Sequence, residues 1–400
     1  MRSVGVICEC NPYHAGHAHL LDAARASGAD CVVAVMSGAF VQRGEAAIAD
    51  PHLRAEALLQ GGADLVLELP FPYCASGAES FAAAGVSILE RLGVGELWFG
   101  SECGELSRLL ALARLADSPG FLASYEATAR GNAGTAEAYF SCLCALAGEE
   151  VSCFSNDILA LSYLRALSKN DAKMRPVTVK RQGSAYLDAE LGGEFPSATA
   201  LRRLWREKGL EAVLPHLPTS VREIYARAEA DPPSTARIER WILGRFRMLT
   251  ATEAESVAAL SGGLGARMAQ AARESRSLSE LLERSATKKY TTSRMMRGIL
   301  FALTDVCEAD LREPPAFTRL LAANAVGCAF LATARRSSTL PVVTRRSELP
   351  ATPAAERQEE LSRRAWAVYT LCLRDSRGED GLWRSSPVIV SEERERNERK

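Results

Sequence analysis

Three of the chain's five histidines, His14, His17 and His19, crowd into the stretch ECNPYHAGHAHLL, beside Asn-Pro and a glycine. His14 and His17 are three residues apart, a spacing that turns both towards one object at the start of a helix. A helix N-terminus with free N–H groups favours an anion. Two imidazoles add donors suited to a phosphoryl group that gains charge during in-line displacement. The chemistry implied is a phosphate clamp. Pro12 fixes the approach of this loop, and Gly16 lets backbone come close to a ligand. His19 reads as a bystander on the helix. Two plainer accounts stand beside the clamp: a histidine pair that binds metal, for which no third ligand is evident nearby, and a helix cap with surface histidines.

A second phosphate device is written in SATALRR. Ser197 can cap a helix whose first turn includes Thr199, with Arg202 one turn later. Hydroxyls, free N–H groups and a guanidinium then converge on one helix start, which suits a departing pyrophosphate. An ordinary cap with a surface arginine is the alternative.

Such groups need elements to position them. The apolar runs VGVIC, CVVAVM, ADLVLELP and ELWFG read as strands buried on both faces. Helical patterns over 17–27, 53–61 and 78–92 lie between them, each ending near glycine. This alternation implies a parallel sheet with right-handed crossovers, an α/β Rossmann-like nucleotide-binding unit. Ligands of such sheets sit outside the carboxyl ends of the strands. ECNPYHAGH, SGAFVQRGEAA, LELPFPY and FGSE occupy those ends, and all are polar or rich in Gly and Pro. PVTVKRQGSAYLD is strand-like. From about Leu204 the pattern is almost entirely helical, so the chain divides into an α/β unit over 1–203 and a mainly α-helical region over 204–400.

Bulk composition narrows the class. The 400 residues are 47% apolar, enough for a sizeable core. A net charge of −1 gives no global pull towards nucleic acid, so any RNA contact needs a local basic face. The eleven cysteines are irregularly spaced, and Cys8-x-Cys10 and Cys142-x-Cys144 lack a zinc-like partner pair. No apolar run approaches the ~18–20 residues that span a bilayer, and no leader precedes the first strand. A reduced, cytoplasmic, soluble protein is expected.

The H-x-G-H stretch with a later Ser-x-Thr-x-x-Arg helix start resembles the nucleotidylyltransferase superfamily. GVICECNPYHAGH, VAVMSGAFVQRGEAAIAD, RAEALLQGGADLVLELPFPY, ELWFGSE, KRQGSAYLD and SATALR together are similar to one family within it, the tRNA(Met) cytidine acetate ligases. KKYTTSRMMRGIL and PPAFTRLLAANAVG extend the likeness over most of the chain. The resemblance implies ATP, with magnesium, as substrate and acetyl-adenylate as intermediate. Acetate is passed to N4 of the wobble cytidine of elongator tRNA(Met). It implies catalytic roles for His14, His17 and Arg202. ATP contacts are implied along Ile7, Cys8, Glu9, Cys10, Asn11, Pro12, Tyr13, His14, Ala15, Gly16, His17, Ala18, His19 and Leu20. Gly100, Asn156, Arg181, Gln182, Ser197 and Thr199 complete them. Lys288, Lys289, Arg294 and Arg297 form a candidate RNA face, with a solvated charged helix as the plainer account. The chain departs from the family pattern at Cys10, Tyr13, Ala15, Ala39, Ala46 and Leu187, of which Ala39 and Leu187 bear on the acetate pocket or RNA contact. Two other functions were weighed: a nucleotidyltransferase acting on a small phosphorylated acceptor, and a non-catalytic ATP- or RNA-binding protein. The long helical extension argues against the first, and His14, His17 and Arg202 argue against the second.

Overall fold

The computed structural model describes residues 1–129, 135–149, 151, 154–181, 196–376, 378 and 381–390. The four apolar runs form β1 (Ser3–Cys8), β2 (Cys31–Ser37), β3 (Leu65–Leu69) and β4 (Glu96–Ser101). Between them run α1 (Ala15–Ala26), α2 (Pro51–Gln60) and α3 (Ala78–Arg91). Then follow α4 (Leu106–Ala116), α5 (Pro119–Ala129), α6 (Thr135–Ala147), α7 (Ser155–Lys169), β5 (Arg175–Lys180) and α8 (Ala198–Lys208). The pairings β1–β2, β2–β3, β1–β4 and β4–β5 are all parallel, as the alternation predicted. β2 and β3 are buried at every position, which is why they are apolar on both faces rather than alternating, Glu68 of β3 and Ser37 of β2 apart.

The mainly helical region past Leu204 also holds three short strands that its pattern did not announce. β6 (Thr318–Ala323), β7 (Val342–Val343) and β8 (Val388–Ile389) join the same sheet, β6 lying antiparallel to β3. The strand order among the described residues is β5-β4-β1-β2-β3-β6-β7, with β8 on β6, so the sheet draws on both sides of residue 203. In TRLLAA the apolar stretch is only Leu320 to Ala323, too short for periodicity to tell strand from buried helix, and β7 and β8 are two residues each. A buried ion pair at the β3–β6 seam, Arg319 Nη2 to Glu68 Oε1 at 2.9 Å, ties the two halves. No helix among the described residues is long and apolar enough to cross a membrane.

One buried cation organises the carboxyl edge. Arg54 of α2 is 0% exposed. Its Nη1 donates to the carbonyls of Glu9 (2.7 Å) and Ser37 (3.0 Å), its Nε to Ala49 (3.0 Å), and its Nη2 to Gly38. It therefore clamps the loops that leave β1 and β2. Asp50 starts the same helix by accepting from His52 N at 2.8 Å, with Pro51 at the first helical position. Arg54→Met would leave several buried carbonyls without donors. The expected loss is about 3 kcal/mol or more in urea unfolding, and a loss below about 1 kcal/mol would contradict the clamp.

Candidate active site

β1 and β4 pair only at Val4–Glu96 and Gly5–Leu97. Beyond those residues β1 continues alongside β2, and β4 alongside β5. The strand order reverses here, which is where doubly wound sheets open a crevice. A cavity of about 570 Å³ occupies it, within the ~300–1,000 Å³ of small-molecule sites. Ile7 and Cys8 of β1, Phe99 and Gly100 of β4, and Val179 and Lys180 of β5 form its base. The starts of α1, α7 and α8 point into it, and Thr291, Ser293 and Arg297 enter from the C-terminal region.

The histidines are set by the backbone of their own turn. His14 is the N-cap of α1, and its Nδ1 accepts from Gly16 N at 3.0 Å. His17 Nδ1 accepts from His14 N at 3.2 Å, closing a reciprocal capping box. With both Nδ1 atoms accepting, each neutral ring carries its proton on Nε2. The rings lie 4.2 Å apart, centroid to centroid, and both line the cavity. Burial drives His14 well below its ordinary pKa, helped by His17, Arg181 and Arg202. Burial, then Arg181, lowers His17 to about 4. Both imidazoles are therefore neutral donors at neutral pH. Gly16 serves this arrangement in a different way from the expected approach to a ligand. A Cβ there would lie 2.7 Å from His14 Cε1, so the missing side chain makes room for the imidazole.

At the other end of the cavity Ser197 Oγ caps α8 by accepting from Ala200 N at 3.1 Å. Arg202 donates to Asn11 O at 2.8 Å and to Thr199 Oγ1 at 3.2 Å, joining this helix start to the β1 loop. Arg181 Nη1 reaches Asn156 Oδ1 at 3.4 Å, and Asn156 Nδ2 donates to Glu102 Oε1 at 2.6 Å. Among the described lining residues Glu9 is the one carboxylate, against Arg43, Lys180, Arg181, Arg202 and Arg297. A polyanion matches that balance.

The comparisons agree with this geometry. The model of the HIGH Nucleotidyl Transferase family matches residues 1–381. The chain belongs to that family. A tRNA(Met) cytidine acetate ligase of Syntrophotalea carbinolica is 37% identical over 87% of this chain and 86% of its own. One from Listeria monocytogenes is 31% identical over 98% of this chain and 100% of its own. Among solved structures, Thermotoga maritima TmcAL in an apo form superposes with a TM-score of 0.90 at 30% identity, covering 98% of this chain and 100% of that one. The same protein bound with alpha-thio ATP gives 0.87.

In this HIGH nucleotidyl transferase most predicted positions meet in one place. Ile7, Cys8, Glu9, Cys10, Asn11, His14, Ala15, Gly16, His17, His19, Leu20, Gly100, Asn156, Arg181, Ser197, Thr199 and Arg202 all line the cavity. Pro12, Tyr13 and Ala18 do not line it. Tyr13 is core: its N–H donates to Tyr225 Oη at 2.8 Å and its hydroxyl to Gly61 O at 3.1 Å. Gln182 and Leu187 lie outside the described residues. Among the basic candidates, Lys288 is exposed and Lys289 partly so, over the Tyr290 ring. Arg294 spends its guanidinium on the carbonyls of Ala259 (2.8 Å) and Ser261 (2.7 Å). Arg297 turns into the cavity instead of towards solvent. Sequence reasoning missed Gln42, Arg43, Lys180, Thr291 and Ser293, although each lies in or beside a motif at a strand end or helix start. It also missed the aromatic wall of Phe81, Phe99 and Tyr163, whose pattern is that of any core.

The histidine assignment has a pH signature. A depressed folded pKa means that the unfolded chain takes up protons first as pH falls. The stability tied to His17 is complete above its ordinary value of 6.5 and is lost as pH drops towards about 4. Histidine NMR titration should find the His17 midpoint near 4. A midpoint at the ordinary value would refute a buried neutral donor.

Proposed function

We propose that the protein ligates acetate to N4 of the wobble cytidine of elongator tRNA(Met), using ATP and forming N4-acetylcytidine. The observation that carries this reading is the pair of neutral Nε2–H donors in a cavity lined by five cationic side chains, Arg43, Lys180, Arg181, Arg202 and Arg297, in a chain whose relatives bear that activity in their names. ATP lies over the β1–β4 crevice. An acetate oxygen attacks the α-phosphorus, the new C–O–P linkage forms, and the bond from the α-phosphorus to the bridging oxygen breaks. Pyrophosphate departs towards Ser197, Thr199 and Arg202. His14 and His17 donate to the α-phosphate oxygens as charge develops, without adding positive charge to a site already rich in guanidinium. The N4 amine of cytosine, a weak nucleophile because its lone pair is delocalised, then attacks the acyl carbon, loses a proton and releases AMP.

An anticodon base suits this acceptor role because it sits in a single-stranded loop. Magnesium arrives on the triphosphate: no cluster of three His, Cys, Asp or Glu that could hold a metal exists among the described residues. Lys288 and Lys289, with the helical region over 204–400, are assigned to tRNA contact, and the cytoplasm is the compartment that holds that substrate.

Incubation with ATP, magnesium, labelled acetate and unmodified tRNA(Met), followed by nucleoside mass analysis, tests the whole reading. Acetylcytidine that requires both ATP and this tRNA is expected, and its absence would sink the proposal. His14→Ala should lower acetate-dependent exchange of pyrophosphate into ATP by ~10²–10³-fold. Unchanged exchange would remove His14 from the clamp. Lys288→Glu with Lys289→Glu should raise the KM for tRNA and leave that exchange unaltered.

A further inference from the structure

Between the β2 loop and the helix Thr292–Thr304, the cavity carries two donor side chains for which the described residues supply no carboxylate partner. Gln42 is the first. Its backbone N–H goes to Glu9 Oε1 at 2.9 Å and its carbonyl meets Arg297 Nη1 at 3.4 Å. Its side-chain Nε2 is buried with no acceptor among the described residues. Arg297 is the second. It is partly buried, lines the cavity, and has no carboxylate partner among the described residues; the long bond to Gln42 O is its one hydrogen bond there. Burial, then the neighbouring Arg294, pushes its pKa down to about 10, the mark of a cation in need of an anion.

The two are held as neighbours by close backbone packing. Gly44 has φ +75°, and a Cβ there would stand 2.5 Å from Arg297 N. The loop therefore rests directly on the helix backbone, and only glycine permits it.

The anion follows from the division of labour around the cavity. The phosphate chain already has His14, His17, Arg181, Ser197, Thr199 and Arg202, on α1, α8 and the end of β5. In-line displacement requires that the incoming nucleophile and the leaving pyrophosphate be held by different groups on opposite sides of phosphorus. Gln42 and Arg297 stand on two other elements. We propose that Gln42 and Arg297 seat the carboxylate of acetate. This assignment rests on the ligase reading above. The amide N–H and the guanidinium hold one carboxylate oxygen and leave the other to form the bond to the α-phosphorus as pyrophosphate leaves. Arg297 thereby moves from the expected RNA face to the acyl site.

Acetate-dependent exchange of labelled pyrophosphate into ATP by the full chain, paired with direct ATP titration, tests the seat. Gln42→Leu and Arg297→Met should each raise the acetate KM by about tenfold or more, with the Kd for ATP within about twofold. Arg297→Lys keeps the charge but loses the planar fork. It should fall between them and reads the seat even if Arg297→Met misfolds. Unchanged acetate KM in both Gln42→Leu and Arg297→Lys would overturn the assignment. ATP affinity falling as far as acetate KM rises would overturn it too, by placing the pair on the triphosphate. No exchange by the unaltered protein would sink the ligase reading and the seat together, whereas normal exchange with an unmoved acetate KM would sink the seat alone.

Discussion

Four carbonyl oxygens converge on the guanidinium of Arg54, and the site is assembled around that convergence. The loops after β1 and β2 must stand side by side, with their carbonyls turned inward where water cannot reach them. Carbonyls only accept, so they need a group that only donates, offers several N–H bonds and stays protonated when buried; arginine meets all three conditions. A desolvated cation without a carboxylate is expensive, and these peptide dipoles are what make it tolerable. Further contacts hang from the same point. Glu9, whose carbonyl Arg54 holds, takes the Gln42 N–H on its side chain. Two residues on, Asn11 accepts from Arg202 through its carbonyl and from Ile48 N through its side chain, at 2.8 and 2.7 Å. The β1 loop, the β2 loop and α8 are thus one hydrogen-bonded unit before any ligand arrives.

The second constraint is electrostatic. Among the described lining residues positive side chains outnumber the one carboxylate, and two of the arginines, Arg202 and Arg297, are held below their ordinary pKa by burial. Protonated imidazoles in that field would add repulsion. Neutral ones do not, and the capping box turns their remaining N–H bonds outward from the turn. Donors of this kind gain most when negative charge grows on an oxygen, which separates binding of the transition state from binding of the ground state. In the proposed reaction the guanidiniums would supply general affinity for a polyanion, and the histidines the difference between two states of it.

Much of this could be read from the chain because it is local. The strands of the first hundred residues, the helix start at Ser197 and the pairing of His14 with His17 depend on neighbours within a few positions. The mechanism of that pairing was less legible. His14 is a cap rather than a helical residue, and Gly16 yields space to its ring. Long-range features were hidden for a physical reason. Arg54 lies on a helix whose pattern does not distinguish an inward guanidinium from a solvated one. Arg297 sits in a basic cluster that reads as a charged surface, yet it meets Gln42, a residue 255 positions earlier. Gly44 lets the β2 loop pack directly on the backbone at Arg297, a contact between distant parts of the chain that no local pattern announces. β6 was lost because its four apolar residues, Leu320 to Ala323, fit a strand or a buried helix equally well.

If acetate and tRNA are held as proposed above, the long C-terminal region has a reason in this chemistry. A crevice at a strand edge can point several helix starts at a triphosphate, but α1 and α8 are already committed to the phosphates. A second anion on the opposite side of the α-phosphorus needs a cation delivered by a separate element. The helix Thr292–Thr304 delivers Arg297, and the segment leading into it carries Lys288 and Lys289. After adenylation the acyl carbon lies where acetate was seated, so the attacking amine must come in on that side. On that proposal a tRNA held by the two lysines would approach along the segment that leads to Thr291, Ser293 and Arg297 of the cavity lining. Acyl choice and acceptor docking are then coupled through one short stretch of chain, which a small α/β core alone could not provide.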